Sequence, residues 1–188
     1  MANHVNTNIE IINLKKETVE KLKERFSGIE IGNSVGDFFD NVEFTHEFFY
    51  EHIGAKWCNL EDFDYGDDYV NIMTVSAWSY PERFVSNLND FILQHQDNFK
   101  VFTRYEDEMP NFAGGEVWED GEMIDCREDD DDEILEGVQY IDPRCHELLM
   151  KEQEGELDDE EDEELNDMRW DVMNSVICEI QSFIEDYR

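Results

Sequence analysis

From His4 to Ile12 the chain alternates, with Val5, Thr7, Ile9 and Ile11 at every second position, the period of a half-buried strand. KKETVEKLKERF follows and places Val19, Leu22 and Phe26 at helical spacing, with Lys and Arg towards its end, where they suit the helix dipole. SGIEIGNSVG reads as loop. Apolar and aromatic residues crowd from Phe38 to Ile53, which suggests a short helix and a strand packed on the core. KWCNLEDF and YVNIMTVSAW read as two strands joined by the turn-forming DYGDD. In PERFVSNLNDFILQHQ, Pro81 opens a helix whose Phe84, Leu88, Phe91 and Ile92 share one face. NFKVFTRYED gives a fourth strand, and GGEVWEDGEMIDC a hairpin turning on Asp120-Gly121. Strand, helix, strand, strand, helix, strand is the split βαβ pattern. The predicted class is α+β and ferredoxin-like, with two helices on one face of an antiparallel sheet and a hairpin added to it.

Beyond Cys126 the pattern changes. EILEGVQYI reads as a further strand, and DPRCHELLMKEQ as a short helix begun at Asp142-Pro143. Towards the end Leu165, Met168, Val172, Val176, Ile180, Phe183 and Tyr187 recur at steps of three and four, broadened by Met173, Ile177 and Ile184. That is a long amphipathic helix whose stripe needs burial, and packing on the domain is the reading adopted. The organisation expected is a ferredoxin-like domain over 1–127 and an acidic extension with its C-terminal helix over 128–188.

Charge alters this picture more than composition does. Aromatic residues make up 13% of the 188 residues, enough with the aliphatic ones to build a core. Yet 50 acids face 14 Lys and Arg, for a formal net charge of −36. Residues 1–100 carry 18 acids and 8 bases, and residues 101–188 carry 32 and 6. A surface of that sign repels nucleic acid and anionic membranes and attracts basic proteins. The start, MANHVNTNIEII, lacks the basic and apolar regions of a signal peptide, so a cytoplasmic location is expected. The four cysteines form no CxxC pair, consistent with reduced thiols and no zinc site.

Four stretches carry a likeness to known proteins: ANHVNTNIEI, GAKWCNLEDF at 54–63, MTVSAWSYPERFVSNL at 73–88 and YEDEMPNFAGGEVWEDGE at 105–122. In order and spacing they resemble the YubB ferredoxin-like family of phage and plasmid proteins, across residues 1–125. The resemblance implies a ferredoxin-like fold and an origin in a mobile element. It brings no catalytic residues, because the family has no settled activity, and the acidic runs lie outside it.

Several constellations invite chemistry and are better explained without it. In HEFFYEH, His46 and His52 are six residues apart and point to different sides of a helix, so no zinc motif forms. LEDFDYGDDY has Asp62, Asp64, Asp67 and Asp68, but counting from Asp62, Gly66 falls one place early for a calcium loop and Met73 takes the bidentate position. TRYEDEMPNFAGG sets Tyr105 beside Glu106, Asp107 and Glu108, which a strand edge turning at Pro110 explains as well as acid–base work does. Trp57 and Trp78 are expected in the core. No nucleophile–base pair and no phosphate-cradling loop assembles, so the chain is read as a non-enzyme with no cofactor and no metal.

The acidic runs remain. The first is Glu128, Asp129, Asp130, Asp131, Asp132 and Glu133. The second is Asp158, Asp159, Glu160, Glu161, Asp162, Glu163 and Glu164. A helix cap needs two or three acids, while like charges at i, i+4 cost a few tenths of a kcal/mol each. If helical, the nine acids of 154–164 lie about one per 1.8 Å of axis, against about one per 1.7 Å for duplex DNA. Both runs are therefore expected to be partner-binding surfaces that imitate nucleic acid towards a basic host protein, such as a nucleic-acid-binding enzyme. The alternatives are an assembly accessory that oligomerises through its last helix, and a weak divalent-cation binder or enzyme built on the Asp62–Asp68 turn or on Glu106–Glu108.

Overall fold

The computed structural model describes residues 3–40, 42–129 and 142–188. Its strands are β1 (His4–Ile12), β2 (Cys58–Tyr65), β3 (Val70–Ala77), β4 (Lys100–Asp107), β5 (Ala113–Glu119) and β6 (Glu122–Asp129). They form one sheet in the order β2-β3-β1-β4-β5-β6, with every neighbouring pair antiparallel. The chain is thus α+β, as its patterning predicts.

Register decides which side chains share a face, because a one-residue slip would invert them all. Thr7 lies opposite Thr74 and Tyr105, and Ile9 opposite Ile72 and Thr103. Tyr105 in turn faces Gly114, and Thr103 faces Glu116. Helices α1 (Lys16–Phe26) and α3 (Glu82–Leu93) pack on this first face. Val19, Leu22 and Phe26 from α1 join Phe84, Val85, Leu88 and Ile92 from α3 in one core with Ile9, Ile11, Ile72 and Val101.

Between α1 and β2 lies an aromatic corner. A 3₁₀ turn at Val35–Phe38 is capped by Ser34, and α2 (His46–Phe48) is capped by Thr45, then widens into a π turn at Phe49–Ile53. The helix expected here is present, but the strand is not, since residues 42–45 join no sheet. Phe39, Phe44, Phe48 and Phe49 pack ring against ring instead, a geometry that helical turns supply and a flat strand does not. Trp78 is a second correction. It is 53% exposed rather than buried. Its φ of 72° leads the chain out of β3, and its N–H donates to the Asn3 carbonyl at 3.0 Å. Trp57 is half-buried, edge-on to the His4 ring.

The second face receives the last helix. α4 (Pro143–Glu154) and α5 (Asp159–Glu185) form a hairpin. Met173, Ile180 and Ile184 of α5 bury against Phe102, Ala113 and Val117 of β4 and β5, side chains that alternate with those of the first face. Gly115 permits the approach, for a Cβ there would come within 2.8 Å of Ile180. Of the apolar stripe read from the sequence, Leu165, Met173, Ile180 and Ile184 are buried within the chain and the remaining members are half-buried. The EILEGVQYI strand lies outside the described residues.

Candidate acidic interaction site

The second acidic run caps α5 and forms its start. Asp158 is the N-cap and accepts hydrogen bonds from the backbone of Glu160 at 3.1 Å and Glu161 at 2.9 Å. Asp159, Glu160, Glu161 and Asp162 fill the first turn, where the dipole favours them. α4 lies alongside. Asp142 caps it by accepting from Arg144 N at 2.7 Å, Pro143 occupies its first turn, and Gly155 closes it at φ 70°. Cys145, Leu148 and Leu149 of α4 pack with Leu165, and with the flanks of Met168 and Val172.

Helical spacing then divides the run. Glu161 and Glu164 turn towards α4 with Leu165 and Met168. Arg144 holds Glu161 at 3.2 Å and Glu164 at 3.0 Å, Lys151 also bonds Glu161, and Arg169 reaches back to Glu152 at 2.7 Å. The Lys151 and Arg144 bonds hold the Glu161 carboxyl below its ordinary value. Asp158, Asp159, Glu160, Asp162 and Glu163 are exposed, and Asp167 and Asp171 continue their ridge along the helix. These acids occupy fixed positions on a capped, packed helix.

The first run is placed otherwise. Glu128 and Asp129 end β6, and the pleat sends them to opposite faces of the sheet. Glu128 accepts from the Tyr105 hydroxyl at 2.5 Å on the α1/α3 face. Asp129 is half-buried and lies 3.4 Å from Arg127. The two therefore do not form one acidic surface. Asp130, Asp131, Asp132 and Glu133 lie outside the described residues.

Glu128 belongs instead to a polar cluster beneath β4, β5 and β6. The Tyr80 and Tyr105 rings stack with centroids 4.1 Å apart. Glu116 accepts from the Tyr80 hydroxyl at 2.8 Å and from the Trp118 indole at 2.9 Å. Burial raises the Glu116 pKa, against the two donated bonds that lower it. Burial also raises the pKa of both phenols, reinforced for Tyr105 by its bond to Glu128 and for Tyr80 by the Glu116 charge. Gly114 makes room, since a Cβ there would come within 2.4 Å of the Tyr105 ring. The acid–base suspicion raised by TRYEDEMPNFAGG thus touches Tyr105 but misses its partners, Glu116 and Glu128, which strand register brings alongside, and Tyr80, which stacks from the connection before α3.

Tyr105's sequence neighbours have structural duties. Asp107 accepts from Met109 N at 2.9 Å and Asn111 at 3.0 Å, closing the turn before β5. Glu108 pairs with His4 at 3.3 Å. Asp62 and Asp64 lie in β2 of a hairpin closed by Gly66 N to the Tyr69 carbonyl at 3.0 Å, and Asp64 accepts from the Tyr69 hydroxyl at 3.1 Å. Among the described residues no three His, Cys, Asp or Glu side chains are grouped to hold a metal ion. None of the described helices is long and apolar enough to cross a membrane. Cys58 is fully buried in the core, and that burial pushes its thiol up to about 12. No family model, no curated protein and no solved structure matches this chain.

Proposed function

We propose that the chain is a non-catalytic binding module whose α4–α5 hairpin presents an acidic ridge to a cationic cleft on a basic protein partner, in place of a nucleic-acid backbone. The observation that carries this reading is the division of the second run. Glu161 and Glu164 are neutralised by α4 and fix the helix, while Asp159, Glu160, Asp162, Glu163 and Asp167 face solvent in register. A ridge ordered before binding loses little entropy on docking and attracts a cationic cleft over several ångströms. The strand order β2-β3-β1-β4, with α1 and α3 on one face, supports a ferredoxin-like platform beneath it. That is the architecture implied by the likeness of residues 1–125 to the YubB family, and a mobile-element protein acting on a host nucleic-acid-binding enzyme fits both. The buried part of the α5 stripe is divided between the sheet and α4, which weighs against the alternative of assembly through that helix.

The test is capture from bacterial lysate at rising salt, with duplex DNA as competitor. The expected result is a DNA-binding protein released steeply by salt, displaced by DNA and lost with the quadruple variant D159N/E160Q/D162N/E163Q. Capture that is indifferent to DNA and to the substitutions would overturn the proposal.

A further inference from the structure

β6 and β5 are neighbours in one hairpin with opposite constitutions. Five of the seven β5 residues are buried, Gly114 and Gly115 among them, whereas none of the eight in β6 is. Met123 and Ile124, the large apolar side chains of β6, are 49% and 45% exposed. Packing therefore contributes little to keeping β6 in the sheet.

The two ends of β6 are also held differently. At the turn, Asp120 and Gly121 have φ of 50° and 80°, as a two-residue hairpin loop requires. This end is anchored. Asp120 accepts from Phe99 N at 3.1 Å and its own N–H donates to the Phe99 carbonyl at 3.2 Å. Gly121 sits so close to α3 that a Cβ there would come within 2.3 Å of Leu93. Towards the other end, among the described residues, the tethers beyond the backbone ladder are single side-chain bonds to α5, to Tyr187 just after it and to β4. Asp125 accepts from the Tyr187 hydroxyl and Arg127 donates to Glu179 at 2.5 Å, both on the α5 face. Glu128 accepts from Tyr105 at 2.5 Å on the α1/α3 face.

We propose that β6 is a hinged latch strand, pivoting at Asp120–Gly121 and peeling from β5 at its Glu128–Asp129 end when these side-chain tethers let go. Two tethers lie on one face of the sheet and one on the other, so the strand is clasped from both sides without being buried on either. Opening bares the β5 edge and frees Glu128 and Asp129. Their addition to the acidic surface rests on the function proposed above; the motion itself does not.

Amide hydrogen exchange on the full chain tests this. The β6 amides bonded to β5 are expected to exchange at least about ten-fold faster than the paired amides of β1 and β3, through a local opening. Tyr105→Phe and Tyr187→Phe each delete a hydroxyl donated to a carboxylate, and are expected to speed β6 exchange roughly ten-fold while leaving β1 and β3 unchanged. Exchange of β6 in step with β1 in the unaltered protein, which needs no variant to fold, would refute the latch. So would variants that accelerate all strands equally. Neither result bears on partner capture by the α4–α5 ridge, so the two proposals fail separately.

Discussion

The two faces of the sheet are built from different materials. The α1/α3 face is covered by an aromatic and aliphatic layer in which Phe26, Phe38 and Phe84 touch ring to ring and Ile9, Leu22, Leu88 and Ile92 are fully buried. The α5 face has a smaller core around Phe102, Val117 and Ile180, and much of its remaining attachment is polar. Arg188 bonds Glu10, Lys100 bonds the Tyr187 carbonyl at 3.0 Å, and Arg127 bonds Glu179. Exposed ion pairs contribute little stability, so the first face must supply most of what the excess charge removes. The acids gather where the core is thin.

Paired core truncations break this comparison most forcefully. Phe84→Ala leaves a cavity at a fully buried site and is expected to cost about 3–5 kcal/mol, with sheet and helix signals shifting together in urea. Ile180→Ala is expected to cost about 2–4 kcal/mol and to separate the probes, α4–α5 helicity being lost at lower urea than the signal of the β2–β4 sheet. Coincident transitions in Ile180→Ala would mean that the two faces form one cooperative unit.

The first face was also the more legible in the sequence. Alternation fixed the buried set of β1, and Asp120-Gly121 marked the β5–β6 hairpin at the sheet's edge, because both are local rules of pleat and turn. The apolar stripe of α5 was equally plain. What the stripe packs on was not, since no local pattern says that Phe102 and Val117, rather than their neighbours Val101 and Trp118, would meet Ile180. The same limit hid the polar cluster beneath β4, β5 and β6. Tyr105, Glu116 and Glu128 meet only through the registers of β4, β5 and β6, and Tyr80 joins them by stacking from the connection between β3 and α3. Trp78 escaped for another reason: hydrophobicity favours burial, and nothing nearby announced the positive φ that turns its ring outward. The acids of α5 were visible as a run, but their division between Arg144 and solvent depended on α4 lying alongside.

A subtler effect is expected at Glu116, where the apolar layer gives way to buried charge. A carboxyl whose folded pKa lies above its usual 4.5 binds its proton more tightly folded than unfolded. Its contribution to stability is then highest below pH 4.5 and falls as pH rises through the folded value. Glu116→Gln cannot titrate, yet it keeps an oxygen to accept from Tyr80 and Trp118. Urea midpoints of variant and wild type are therefore expected to diverge as pH rises from 4.5 towards neutrality, with the variant gaining. The charged neighbours Glu82 and Glu128 are present in both proteins and leave the sign unchanged. A difference that stays constant with pH would show that burial does not govern this carboxylate.

The smallest effect has the most informative sign. Glu163 lies beyond the first turn of α5, with Asp159 one turn before it and Asp167 one turn after, and all three are exposed. Dipole attraction has faded there, so i, i+4 repulsion is left unopposed. Glu163→Gln is expected to stabilise the chain by about 0.2–0.5 kcal/mol at low salt, and the gain should shrink as salt screens the ridge. Glu161, two residues earlier, faces Arg144 and Lys151, and Glu161→Gln is expected to destabilise. Thermal midpoints at two salt concentrations measure both. Opposite signs from two glutamates in one run would separate the acids that hold α5 in place from those the fold carries at a cost. Equal signs would mean that solvent treats the whole run alike, and the ridge would then lose its claim to have been shaped for a partner.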